Sequence, residues 1–247
     1  MIVFKREFLR NLIGLLIWSL TIAGLVFVMV SQYRNSAEAM GTANYPEAFV
    51  KAMGMDKVNM STPLGYYAGK ASVMVTLFGA IYAAILGSGA IVRDESLLAR
   101  PISRVSLAVQ RLIAVAANLL ALNLIVAVVL LACGGDSMVW WVAIAQLLLH
   151  LCFAVIGFVL AVLRIKAKAA LALPLGVVLA GYVLSMLYGM NDALEQLKYL
   201  TPFYYTDIKE VLAGGALEPL HALAVSAMIL ALAALGVAAY HRKDLPV

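Results

Sequence analysis

Charge is scarce in this chain of 247 residues. Asp, Glu, Lys and Arg make up 13% of the residues, whereas a soluble domain carries about 25%. The longest apolar stretches contain none of these four residue types. A carrier driven by protons or sodium ions needs an ionisable group near the middle of the membrane. The apolar stretches offer no such group, so the sequence argues against an ion-coupled carrier.

Candidates for metal, nucleotide and disulfide sites are also few. A metal-dependent membrane protease needs clustered His and carboxylate ligands, and the apolar stretches offer only His150 in the fourth and His221 near an outer end of the sixth. It lacks the G-x-x-x-x-G-K-[ST] phosphate cradle of nucleotide-binding proteins, and no segment resembles a nucleophile loop. Cys133 and Cys152 lie at different predicted depths, so we expect two free thiols. We predict that the chain is not an enzyme and binds no cofactor or metal of its own.

Six long apolar stretches are the main feature that is present. About 20 apolar residues in a helix cross a hydrocarbon core of about 30 Å. Backbone polar groups in lipid need partners within a helix or a closed barrel. We therefore predict an all-α integral membrane protein that forms one transmembrane domain over residues 1–247. The predicted spans are residues 12–30, 71–92, 112–132, 139–163, 169–190 and 219–240.

The basic residues lie mostly on one side of these spans. With a cytoplasmic N-terminus, the inner segments hold 12 of the 18 basic residues and 4 of the 13 acidic ones, a net charge of +8. The outer segments hold the remaining 6 basic and 9 acidic residues, a net charge of −3. This asymmetry follows the positive-inside rule and places both termini in the cytoplasm. The pI of about 9.2 therefore reflects topology, and no nucleic-acid partner is expected.

The segment before the first span has two interpretations. Phe4 and Phe8 would share one face of a helix that also carries the charged residues Lys5, Arg6, Glu7 and Arg10. Such a pattern favours an interfacial helix on the inner membrane surface. An ordinary basic flank to the first span explains the same residues equally well.

Neutral polar side chains inside the spans also allow two roles. They can join neighbouring helices by hydrogen bonds, or they can contact a polar part of a transported molecule. The residues concerned are Asn118 and Asn123 in the third span, and Gln146 and His150 in the fourth.

Small residues recur at every fourth position in the second and fifth spans, which lets helices approach closely. These rows favour packing within the chain or against a second copy. They are Gly79-Ala83-Gly87, Ala172-Gly176-Ala180 and Gly181-Ser185-Gly189. Four larger side chains on the same two spans would suit a translocation path or a dimer contact, and ordinary packing is the alternative. They are Phe78, Tyr82, Tyr182 and Met186.

The inner segment between the second and third spans is the most specific of the loops. It reads R-D-E-S-L-L-A-R-P-I-S-R from Arg93 to Arg104. Pro101 is expected to end a short helix, and Ser103 to cap the next helix, which continues into the third span. The adjacent leucines Leu97 and Leu98 favour docking to a cytosolic partner. A positively charged turn is the other interpretation.

This segment resembles the coupling loop of ABC-2 type permeases, the membrane subunits of ATP-driven exporters. An acidic pair, a double leucine and an A-R-P-[IV]-S-R pattern carry the resemblance. Residues 45–55 with S-T-P-L-G-Y at 61–66, L-T-P-F at 200–203 and Y-H-R-K-D-L at 240–245 resemble further family segments in the same order. Residues 45–54 also predict a short amphipathic helix that Gly54 ends. Family members usually place a G-T-L-E-like turn before the double leucine. Here Glu95 runs directly into Ser96 and Leu97, so the coupling helix is expected to be shorter.

The resemblance implies the six-helix half of an exporter, which pairs with an identical or closely related chain. Two cytosolic ABC ATPase subunits would bind the coupling loop and hold ATP and Mg²⁺. The implied coupling residues are Asp94, Glu95, Leu97, Leu98, Arg100, Pro101, Ser103 and Arg104. The protein would be a multi-pass protein of a prokaryotic plasma membrane.

The spans without charge favour a lipophilic or amphipathic cargo such as a drug, a lipid or a peptide. Two other functions stay open on the sequence. One is a membrane assembly or immunity factor that binds a ligand without ATP-driven transport. The other is a membrane enzyme that uses Ser or His together with groups of its substrate.

Overall fold

The computed structural model describes residues 2–33, 46–92, 103–163, 169–190 and 192–242. These residues form helices and contain no β-strand. Six of the helices are long and apolar enough to cross a membrane, as predicted. Cys133 and Cys152 are both free, which was also predicted.

The helices follow one another as α1 (Ile2–Arg10), α2 (Leu12–Ser31), α3 (Glu47–Ala52), α4 (Pro63–Tyr66), α5 (Ser72–Val92), α6 (Arg104–Ala132), α7 (Met138–Leu163), α8 (Ala169–Met190), α9 (Pro202–Tyr205), α10 (Ile208–Gly214) and α11 (Pro219–Arg242). Short 3-10 helices occupy Met55–Lys57 and Asp192–Leu200, and a π-helical turn occupies Tyr67–Ala71. The six long helices are α2, α5, α6, α7, α8 and α11.

Side-chain caps mark the start of α6 and the start of the short helix α4, which precedes α5. Ser103 precedes α6, and its Oγ accepts a hydrogen bond of 3.2 Å from the backbone N–H of Ser106. This cap was predicted. Thr62 acts in the same way on Gly65 at the start of α4, at 3.0 Å. Through the π-helical turn, α4 then leads directly into α5.

The centre of the bundle is the contact between α5 and α7, which small residues make close. A Cβ added to Gly87 would lie far inside van der Waals contact with the carbonyl oxygen of Ala154. A Cβ on Gly157 would lie 2.6 Å from the carbonyl oxygen of Ala84. The small-residue row of the second span is therefore used for packing within the chain.

Helix α8 lies at the periphery instead. Only 11% of its apolar window is buried, and the same is true of α11. Ala172, Gly176 and Ala180 are all exposed, and no atom lies within 4 Å of a Cβ added to Gly176. The first small-residue row of the fifth span is thus left open by the described part of the chain.

The connecting segments gather at one end of the bundle, which we call the loop end (residues 46–71, 133–137 and 192–218). Gly54 ends the α3 segment with a φ of 57°, a left-handed conformation that suits glycine. This glycine-terminated short helix was predicted. Lys57 and Glu210 form an ion pair of 2.6 Å that joins the 3-10 helix Met55–Lys57 to α10. The opposite end carries α1 and the start of α6.

Candidate functional site

A buried polar cluster joins three of the central helices. His150 of α7 has no exposed surface. The Nδ1 atom of His150 lies 3.0 Å from Nδ2 of Asn123 in α6, and its Nε2 lies 3.0 Å from the carbonyl oxygen of Val75 in α5. A neutral imidazole with its proton on Nε2 fits both contacts, because Nδ1 then accepts from Asn123 and Nε2 donates to Val75. Gly79 provides the space, because a Cβ there would collide with the imidazole.

The other predicted polar residues also make hydrogen bonds within the chain. Gln146 is one helical turn from His150 and donates from its Nε2 to the hydroxyl of Tyr67. Asn118 donates to the carbonyl oxygen of Ala114 in its own helix, at 2.8 Å. Gln146 and His150 are at most 1% exposed. Contact with a substrate would require the bundle to open, so this arrangement favours helix packing over catalysis by His150.

The four larger side chains predicted for a path or a dimer contact divide into two environments. On α5, Tyr82 is buried and stacks on Trp18 of α2 with 5.4 Å between the ring centroids, while Phe78 is exposed. On α8, Tyr182 packs edge-on against Phe203 at 5.7 Å. Met186 lines the same cavity as Tyr182, at the loop end of α8.

Most of the predicted coupling residues lie outside the described part of the chain. Asp94, Glu95, Leu97, Leu98, Arg100 and Pro101 belong to the segment 93–102. Of the predicted set, Ser103 and Arg104 are described, as the cap and the first residue of α6. The predicted coupling segment therefore leads directly into the third long helix.

A buried ion pair joins α1 to α6, and no pattern in the sequence predicted it. Glu7 of α1 and Arg111 of α6 have side chains that are 2% and 1% exposed, with 3.4 Å between Oε1 of Glu7 and Nε of Arg111. Arg10 also contacts the Glu7 carboxylate, from the next turn of α1. The buried face of α1 is thus formed by Val3 and Glu7. The only signal in the sequence was a single acid among the N-terminal basic residues.

Phe4 and Phe8, which suggested an interfacial helix, are half-buried and stack with 6.1 Å between their ring centroids. They lie beside the buried face of α1 and not on it. The segment forms a helix on either of the two interpretations given above. What holds it to the bundle is the ion pair with α6 and the packing of Val3.

A wide cleft opens at the loop end, with a volume of about 980 Å³. We call it the loop-end cleft. One wall is aromatic and is centred on Tyr204, whose ring lies 4.9 to 6.2 Å from four neighbouring rings. Three of these neighbours, Tyr188, Tyr205 and His221, line the cleft with Tyr204, and the fourth, Tyr199, lies beside it. The sequence showed this aromatic crowding, but it did not show that the rings converge on one residue.

The ammonium group of Lys198 lies in a corner between the rings of Tyr199 and Tyr204. Its Nζ lies 5.2 Å from the ring centroids of both Tyr199 and Tyr204, and these two rings are inclined by 82°. The same Nζ donates to Oε1 of Glu195 at 2.6 Å. This hydrogen bond raises the pKa of Lys198 above its ordinary value, so the corner holds a cation at neutral pH.

The family model described as ABC-2 family transporter protein matches residues 1–245, which include all six long helices. The chain belongs to the ABC-2 transporter family. As a member of this family it is a multi-pass membrane protein and the permease component of an ABC transporter, and it associates with an ABC ATPase. No curated protein matches the chain.

Proposed function

We propose that this ABC-2 permease is half of an exporter for lipophilic or amphipathic molecules. Two copies, or this chain and a close relative, would form the path, and two cytosolic ATPase subunits carrying ATP and Mg²⁺ would drive it. The segment 93–104 would dock to the ATPase on the cytoplasmic side of a prokaryotic plasma membrane. The open face of α8 is the observation that carries this proposal.

The open face supports pairing because it contrasts with α5. The small-residue row of α5 is covered by α7, whereas Ala172, Gly176 and Ala180 of α8 are exposed in the described part of the chain, and no atom of another element lies within 4 Å of a Cβ added to Gly176. Rows of this kind gain packing energy in lipid when a second helix approaches closely. A second copy would cover the row and place the Tyr182–Met186 cavity near the junction of the two halves.

An apolar or amphipathic cargo is supported by the chemistry of the interior. The polar groups of the central cluster are neutral, and the structure pairs them across helices. Among the described residues of the long helices, the buried charged side chain is Arg111, which is paired with Glu7 near one end of the bundle. A small inorganic ion would find few fixed charges along such a path.

Pairing through α8 predicts a disulfide between two copies. In a chain whose Cys133 and Cys152 are replaced by Ser, Gly176→Cys is expected to give a covalent dimer under mild oxidation, because a disulfide requires Cα atoms about 4.4–6.8 Å apart. Leu230→Cys on α11, which is 71% exposed, is the matched control and should stay monomeric. Dimers from Leu230→Cys but not from Gly176→Cys would overturn pairing through α8.

The transport proposal is tested in vesicles that contain this chain and its ATPase partner. Lipophilic or amphipathic probes are expected to stimulate ATP hydrolysis and to move across the bilayer only when ATP is present. Vesicles with the permease alone serve as the control. ATP-independent movement, or stimulation by small inorganic ions alone, would contradict the proposed cargo class.

A further inference from the structure

The corner between Tyr199 and Tyr204, beside the loop-end cleft, has the features of a site for an organic cation. Two perpendicular rings face one point from about equal distances, and Lys198 places an ammonium group there. Aromatic faces attract cations within about 6 Å of the ring centroid, and such corners recognise quaternary ammonium groups. The occupant in this structure is a side chain of the protein itself.

The cleft beside this corner is electrostatically suited to a positive ligand. Five carboxylates and three lysine ammonium groups line it, and together these eight groups carry a net charge of −2. The carboxylates are Asp56, Glu195, Asp207, Glu210 and Glu218. Lys57 forms an ion pair with Glu210, and Lys198 forms one with Glu195, both at 2.6 Å.

Lys198 is placed so that it can leave without disturbing the fold. It lies in the 3-10 helix Asp192–Leu200, its ion-pair partner Glu195 is mostly exposed, and Tyr199 is 56% exposed. Water screens an ion pair that is open to solvent on the side of its acid, so the pair contributes little to the stability of the fold. A ligand cation could therefore displace Lys198 at a modest cost, and the freed carboxylate of Glu195 would remain beside it.

We propose that the Tyr199–Tyr204 corner binds the quaternary ammonium group of an amphipathic cation, and that Lys198 occupies the corner when no such ligand is bound. The acidic cleft would attract the ligand, and the apolar surface of the neighbouring helices would accept its hydrocarbon part. The assignment of this ligand as cargo rests on the proposed function. The binding itself does not, because it needs neither ATP nor the ATPase.

Binding of choline to the purified chain tests the proposal, with its uncharged carbon isostere 3,3-dimethyl-1-butanol as the comparison. Saturation-transfer NMR in a maltoside detergent measures both ligands. Choline is expected to bind at least fivefold more tightly than the isostere. Equal binding of the two compounds, or no binding of choline to the wild-type chain and to Lys198→Met, would overturn the proposal.

Four variants separate the corner from the general charge of the cleft. Lys198→Met is expected to tighten choline binding about tenfold, because it removes the competing cation. Lys57→Met removes the same charge from the same cleft but not from the corner, and should change the affinity less than twofold. Tyr204→Leu should weaken binding at least fivefold, and Tyr204→Phe should keep it, since the ring face is retained. An equal gain from both lysine variants would overturn the site, because it would show an effect of net charge alone.

Two sources could supply a quaternary ammonium group, a lipid headgroup or a free amphiphile. Nanodiscs of phosphatidylcholine and of phosphatidylglycerol distinguish them. If choline binds more weakly in phosphatidylcholine than in phosphatidylglycerol, and Tyr204→Leu abolishes this difference, the result would support the site and assign the lipid headgroup as its ligand. Equal choline binding in both nanodiscs would support the site and assign a free amphiphile.

A failure of this proposal can be told apart from a failure of the proposed function. Absence of choline binding together with intact ATP-driven transport would overturn the cation site alone. Choline binding without any ATP-dependent transport would overturn the proposed exporter function and support the cation site.

Discussion

Replacing both Leu97 and Leu98 with Asp is expected to release the ATPase from the permease. The two leucines would be buried in the docked complex, and burying carboxylates in an apolar contact costs several kcal/mol. Since about 1.4 kcal/mol corresponds to a tenfold change in affinity, we expect a loss of roughly 100-fold or more. Co-purification of the ATPase with the tagged permease from a mild detergent measures the effect.

The control for this variant is an equally apolar, exposed leucine at the other end of the bundle. Leu200→Asp introduces the same group at the loop end, where Leu200 is 71% exposed. It should leave the ATPase bound. Both proteins should elute as folded monodisperse species. Undiminished co-purification with the double variant would show that the ATPase docks elsewhere.

Arg111→Ala is expected to be strongly destabilising. It would leave the carboxylate of Glu7 buried beside an apolar helix without its partner on α6. Breaking a buried pair in this way costs about 3–5 kcal/mol. The expected decrease of the unfolding temperature is roughly 10 °C, measured by thermal unfolding of the purified protein in detergent.

Arg10 provides a matched comparison, because it contacts the same carboxylate from a more exposed position. Its side chain is 27% exposed, so Arg10→Ala should cost less than Arg111→Ala, because water can reach the site that the side chain vacates. The double variant Glu7→Leu with Arg111→Met removes both buried charges and should recover most of the lost stability. If Arg111→Ala unfolds at the same temperature as the wild type, the ion pair does not hold α1 to α6.

Local signals in the sequence were sufficient for the helices and their ends. The six spans were predicted because about 20 uncharged apolar residues must form a helix in lipid, whatever their neighbours are. Ser103 was predicted to cap the third long helix, and the short helix before Gly54 was predicted from its terminating glycine. Each of these depends on residues that are close in the chain.

Contacts between helices were beyond the reach of such signals. The rows of α5 and α8 look alike in sequence, yet one is covered by α7 and the other is open. Glu7 and Arg111 were both assigned to inner segments, but nothing local indicated that they meet. The pairing of Asn123 with His150 likewise requires α6 and α7 to have one particular relative rotation and depth.

The sequence by itself therefore determined that this is a six-span membrane protein with few charges inside the bilayer, because hydropathy and length act residue by residue. Its motifs also identified the ABC-2 family. The tertiary structure alone decided which small-residue face is open, which acid anchors α1, and where the rings of Tyr199 and Tyr204 enclose Lys198. The physical reason is that side chains far apart in the chain meet only when the rotation and depth of every helix are set by packing.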